Sequence, residues 1–271
     1  MGDYYEDDYR NGGGYQNSRS GVRFPEITDK EKKEIAEQAW REAAEIPYSS
    51  RKVLHLILCL DTSSSMEGSG LAQLNKALPM VFKELCRLEK DENVEIRVRV
   101  ITYNTNAAYH LGSERAGVPV REAANMYRDV RDVGGMTNFP AAMQLVVQAF
   151  SDRRNLGPNP LSPIVINITD GYSNKEEYRF DSLCAQIHNS LKRRPDSPDK
   201  VQCIGIAVGD YSMTQLEKFA TKGLVGNEYR SLVFTFDDYD RLAEAIILVS
   251  LSSTSSVTET GVIQLPEIKQ F

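Results

Sequence analysis

Between Arg51 and Val249 the chain alternates short apolar runs with longer stretches in which apolar residues recur every three or four positions. A run without polar alternation reads as a strand buried on both faces of a parallel sheet, and the wider spacing as an amphipathic helix packed over it. Val53–Leu60, Pro163–Thr169, Val201–Val208 and Leu232–Phe236 are runs of the first kind. Leu71, Leu74, Leu78, Phe82 and Leu85 mark one face of a helix that polar LEKDEN ends. Ala141, Leu145, Val146 and Phe150 mark a second, over Asn138–Phe150, and further helices are expected over Lys175–Leu191, Ser212–Lys222 and Tyr239–Val249. Val94–Tyr103 alternates at first and pairs hairpin-fashion with Ala107–Leu111; residues 112–136 read as loop with a polar helical turn or two, closed by Gly134-Gly135. Such strand and helix alternation calls for a parallel sheet covered on both faces.

The ends differ from this middle. Residues 1–27 are rich in Gly, Tyr, Asp and Ser with few aliphatics, which predicts a disordered or extended tail. A helix is expected within 28–48: Thr28 and Glu31 have capping-box spacing, and Ile35, Ala39, Trp40, Ala43 and Ile46 recur at helical intervals, with Trp40 packing the helix onto the domain. The main domain then runs over 49–250, and 251–271, opening on LSSTSSVTETG, reads as a Ser/Thr-rich flexible tail.

Asp61 stands at the carboxyl end of the first buried run, where ligand sites of open α/β sheets gather. Ser63 and Ser65 follow at a spacing of two, so in an extended loop all three side chains present oxygen to one side. That set of hard oxygens suits a small divalent cation such as Mg²⁺. The competing reading is that Asp61 or Ser63 caps the next helix. Asp170, followed by Gly171, ends a second buried run in the same way.

Asp61-x-Ser63-x-Ser65 after a buried strand resembles the metal-ion-dependent adhesion motif of von Willebrand factor A domains. The motif's remaining Thr and Asp are matched in order by Thr137, in GGMTNF, and Asp170, in INITDGYS, and the resemblance covers about residues 50–250. It implies a Rossmann-like, doubly wound α/β fold: a mostly parallel central sheet with one antiparallel edge strand and helices on both faces. It also implies that Ser63, Ser65 and Thr137 ligate Mg²⁺ (or Mn²⁺ or Ca²⁺), with Asp61 and Asp170 acting directly or through water. The open position would take an Asp or Glu carboxylate of a protein partner. Ser64 stands where members commonly have Gly, and Met136 separates the Gly pair from Thr137; neither change removes an oxygen. LDTSSSM, LNKALPMVFKEL, ITYN and GGMTNF together most resemble the bacterial tellurium-resistance group, which implies a stress-response setting near kinase- or phosphatase-like proteins.

Charge and composition narrow the remaining choices. A net charge of −6 argues against nucleic-acid or anionic-membrane binding, and 41% hydrophobic content over 271 residues suffices for one sizeable core. No apolar run approaches bilayer-spanning length, and the acidic MGDYYEDDYR is no signal peptide. Cys59, Cys86, Cys184 and Cys203 lie far apart with no metal-ligand spacing, which fits a reducing cytoplasm. The chain reads as a binding module, not an enzyme. An aspartyl phosphatase needs a second acid where Ser63 stands, a serine hydrolase needs a GxSxG elbow that does not occur, and Gly68 and Gly70 lack the third glycine of a dinucleotide loop at Gln73. A metal-free scaffold of the same fold is the other reading. Finally, Gly261–Ile268 resembles Gly21–Ile27; packing on an edge strand explains both, and the alternative is that Glu267, on a flexible tether, supplies a carboxylate to its own metal site or a neighbour's, giving self-association.

Overall fold

Strand β1 (Lys52–Asp61) is buried at every position after Lys52, because it is central and faces a helical layer on each side. It pairs in parallel with β2 (Val94–Tyr103) from Lys52↔Val94 to Asp61↔Tyr103, and on its other side with β5 (Ile164–Thr169). β6 (Gln202–Val208) and β9 (Val233–Phe236) extend the sheet in parallel. β3 (Ala107–Leu111) and the two-residue β4 (Val118–Pro119) both run antiparallel to β2, so the antiparallel edge comes in two pieces. The order β3-β2-β1-β5-β6-β9 reverses between β1 and β5. The connections leaving the carboxyl ends of these two strands run to opposite faces of the sheet, and a crevice forms between them. The computed structural model describes residues 30, 51–157, 159–191, 200–237, 239–260 and 263–265; apart from Lys30, the helix expected at 28–48 with Trp40, the N-terminal tail and Glu267 lie outside them.

Alternation along β1 divides the core. Leu54, Leu56, Leu58 and Leu60 join the layer built from α1 (Ser69–Asp91), α2 (Val120–Met126) and the last helix, α6 (Leu242–Thr260). Ile57 and Cys59 join the opposite layer, with α3 (Phe139–Ser151) and α4 (Phe180–Asn189). The cysteines are free, and Cys59 and Cys203 are wholly buried, as small apolar side chains would be.

Three expectations are corrected. The Ser/Thr-rich stretch after Ser250 is not a tail: it continues α6 to Thr260, with Ser253, Thr254, Ser256 and Val257 buried. Its hydroxyls turn back onto carbonyls of the same helix, Ser253 and Thr254 to Ser250 O at 3.2 and 2.7 Å and Thr260 to Ser256 O at 2.8 Å, and this satisfies them well enough to pack. The helix expected over Ser212–Lys222 stops early as α5 (Met213–Phe219), and β7 (Lys222–Val225) and β8 (Glu228–Ser231) follow as a hairpin turned at Gly226, whose φ is 59°. The helix expected from Lys175 begins only at Phe180, since Glu176 sits in a left-handed conformation at φ 54°.

β10 (Gln264–Leu265) adds to β7, forming a three-stranded sheet beside the start of β6, at the pole opposite Asp61. The 19 residues of α6 span about 28 Å at roughly 1.5 Å each. The stretch to Thr260, expected to be part of a flexible tether, is helix.

One polar pair is buried between the layers. Arg99 donates from Nη1 to His55 Nδ1 at 2.9 Å and from Nε to Ser113 O at 2.9 Å. Arginine has no acceptor, so Nδ1 is bare, and the imidazole's proton sits on Nε2, 3.2 Å from Leu156 O. Burial, reinforced by the Arg99 charge, pushes the His55 pKa down to about 3. A lowered histidine pKa contributes stability that is complete above the unfolded value of 6.5 and is lost as pH falls toward the folded value. Between pH 7 and 5 the stability difference between wild type and His55→Gln should move by about 2 kcal/mol in the variant's favour, read by urea unfolding at both pH values.

Candidate metal centre

β1 carries Asp61 into the crevice, where it is completely buried. Ser63 and Thr169 hold it: the Ser63 backbone N–H reaches Oδ1 at 2.9 Å, and the Thr169 hydroxyl, from the end of β5, reaches Oδ2 at 2.6 Å. Desolvation outweighs these bonds, and the Asp61 pKa rises from 3.8 to about 6. The loop after β1 turns through Ser64–Met66 as one 3-10 turn. It brings Ser63 Oγ to 3.1 Å from Ser65 Oγ, which donates to Asp170 Oδ1 at 2.7 Å.

The third loop, carrying Thr137, is sewn to both others through its backbone. Gly134 N–H donates to Thr62 O at 2.9 Å, and Ser64 donates to Gly135 O from N at 3.3 Å and from Oγ at 3.1 Å. Gly135 has φ +80°, and a Cβ there would lie 2.3 Å from Thr105 Oγ1, so only glycine fits. Thr137 N–H donates to Asn174 Oδ1 at 3.3 Å, and Thr137 O accepts from Asn174 N–H at 3.1 Å. Asn138 caps α3 through Ala141 N–H at 3.3 Å and holds Thr105 O at 3.1 Å. Thr137 Oγ1 is left beside the Asp170–Gly171 turn: it would stand 3.5 Å from a Cβ on Gly171.

All five sequence-predicted residues thus stand at one end of the sheet, Asp61 closing β1 and the other four on loops. Among the described residues no group of three or more His, Cys, Asp and Glu side chains gathers anywhere, so any cation here must rely on hydroxyls as well as carboxylates. The spacing suits one. Oxygens on adjacent vertices of a Mg²⁺ octahedron sit about 3 Å apart, comparable with the 3.1 Å between Ser63 and Ser65 and the 2.7 Å between Ser65 and Asp170. Thr169, Asn174 and Tyr239, whose hydroxyl donates to Asp170 Oδ2, complete the surroundings and were not singled out from the sequence. Thr169 could have been, as the hydroxyl adjoining Asp170 on a buried strand; Tyr239 carries no such signal.

A raised carboxyl pKa costs stability whenever the group is ionised in the fold: the contribution present below the unfolded value of 3.8 is lost as pH rises through about 6. Without divalent cations, Asp61→Asn should therefore be more stable than wild type by about 2–3 kcal/mol at pH 8. Urea unfolding across pH should show that gap closing below pH 6 and vanishing near pH 4. Gly135→Ala should fold but bind divalent ions more weakly by isothermal titration, because the displaced loop carries both the Ser64 contact and Thr137.

A profile of the von Willebrand factor type A domain matches residues 55–246. No curated protein sequence matches the chain. Among solved structures, a von Willebrand factor type A protein from Catenulispora acidiphila aligns with a TM-score of 0.54 at 15% identity, covering 74% of this chain and 42% of that one. The ArnB paralog VWA2 from Sulfolobus acidocaldarius aligns at 0.48 and 15%, covering 72% and 44%. Proximal thread matrix protein 1 from the mussel byssus, with a zinc-occupied MIDAS motif, aligns at 0.48 and 13%, covering 74% and 46%. The chain thus spans less than half the length of these proteins. The profile takes in the sheet from β1 to β9 and the start of α6, and the chain belongs to the von Willebrand factor type A domain family.

Proposed function

We propose that this chain is a divalent-metal-dependent protein-binding module, in which Ser63, Ser65, Thr137, Asp61 and Asp170 hold Mg²⁺ and the ion captures an Asp or Glu carboxylate of a partner. The observation that carries this reading is the hydrogen-bonded run Ser63–Ser65–Asp170 beside buried Asp61 and the Thr137 hydroxyl, all oxygen and all at one sheet end. The ion supplies a positive centre that neutral hydroxyl ligands leave largely unquenched. The chain's own residues do the rest: Asp61 anchors the site, the serines and Thr137 orient their lone pairs, and the surrounding loops fix their spacing. Mn²⁺ or Ca²⁺ would suit the same donors. Buried free thiols fit a reducing cytoplasm, and no helix among the described residues is long and apolar enough to cross a membrane. A bacterial stress-response or tellurium-resistance-like system, with kinase- or phosphatase-like partners, is the setting that the loop motifs favour.

An aspartyl-nucleophile phosphatase is disfavoured, since Asp61 has no exposed surface and both of its oxygens already accept hydrogen bonds. A metal-free scaffold is the second reading. It rests on the fact that protein donors reach both oxygens of Asp61 and of Asp170.

Titration separates the two. Mg²⁺ should raise the unfolding temperature of wild type by mass action and leave Asp61→Ala unmoved; no shift in wild type would favour the scaffold. Thr137 is bonded to its neighbours through backbone N–H and C=O, which alanine keeps. Thr137→Ala should therefore retain the wild-type fold by circular dichroism and bind Mg²⁺ on the order of 10-fold more weakly, for one lost oxygen ligand.

A further inference from the structure

Tyr239 comes to the metal site from outside the five-residue motif. It lies between β9 and α6, on the 3-10 turn Tyr239–Arg241, yet its hydroxyl donates to Asp170 Oδ2. Asp170 Oδ1 is taken by the Ser65 hydroxyl at 2.7 Å. The carboxylate is therefore held at both oxygens, each by a charge-assisted bond. The seat for the phenol ring is built into α1: a Cβ on Gly70 would stand 3.0 Å from Tyr239 Cε1 and 2.9 Å from Met66 Sδ, so the absence of a side chain at Gly70 makes the room the ring occupies. Met66 beneath it is completely buried.

A carboxylate pinned at both ends behaves differently from one pinned at a single end. With Oδ1 on Ser65 and Oδ2 on Tyr239, rotation of Asp170 toward the ion would break a bond. With only Ser65 remaining, Oδ2 would be free to turn and bind the ion directly. Direct ligation by a second carboxylate would quench the ion's charge and displace a water, at the expense of an incoming carboxylate.

We propose that Tyr239 is a positioning residue of this site, which holds Asp170 back from direct ligation and so keeps the bound ion open and electrophilic toward a partner's carboxylate. This deepens the function proposed above and rests on it. Its signature is a split in sign: loss of the Tyr239 hydroxyl strengthens metal binding and weakens carboxylate binding. A role in packing alone would weaken both or change neither.

The test uses full-length chain, Mn²⁺ as the ion and acetate as the carboxylate probe. Isothermal titration gives Mn²⁺ affinity, and water-proton relaxation gives the number of waters on the bound ion and its response to acetate. Tyr239→Phe keeps the ring in its seat and removes only the hydroxyl. It should bind Mn²⁺ about 3–10-fold more tightly with one fewer bound water, and acetate several-fold more weakly. Unchanged or weaker Mn²⁺ affinity in Tyr239→Phe, with the wild-type number of waters, would overturn the assignment while leaving the metal site standing. A wild type that binds no Mn²⁺ would overturn the metal-binding function itself, and this inference with it.

Discussion

Everything near the site depends on one unfavourable placement, a carboxylate with no exposed surface at the end of the most deeply buried strand. Burial takes the Asp61 carboxylate out of water and pushes its pKa up in spite of the hydrogen bonds from Ser63 and Thr169. The cost persists because β1 is fixed from outside the site, by ten paired positions on β2 and by apolar layers on both faces. The core thus imposes on the loops a group that a cation would relieve. A desolvated carboxylate on a rigid scaffold is the kind of cost that binding sites commonly trade against stability.

The loops around Asp61 divide the work between backbone and side chain. Backbone groups of Thr62, Gly134, Gly135, Thr137 and Asn174 join one loop to the next, while the hydroxyls of Ser63, Ser65 and Thr137 face the crevice. Loop position and loop chemistry can therefore vary separately. Ser64 illustrates this: its side chain adds a bond to Gly135 O and takes nothing from the oxygen set.

How much of this was legible in the sequence follows from what each feature depends on. Buried parallel strands leave unbroken apolar runs, so β1, β5 and β6 and the acids ending two of them stood out at once. α6 beyond Ser250 did not, because serine and threonine are weak helix formers whose propensity is overridden only when their hydroxyls bond back to the helix and pack. The β7–β8 hairpin was masked by a neighbouring helical spacing that ran on past its true end. The contacts of Asp170 show the limit most plainly. Ser65 could be paired with it through a shared motif, whereas Tyr239, 69 positions away and on no motif, meets it only through the tertiary fold.

The placement of β10 decides from which pole of the domain the described chain leaves. The chain enters β1 at the amino edge of the sheet and, after α6 has run the length of the molecule, leaves through β10 at that same edge. The described chain thus enters and leaves at one pole, while the Asp61 loops occupy the other, so a change in how β1 is entered or β10 is left would be felt at the pole away from those loops.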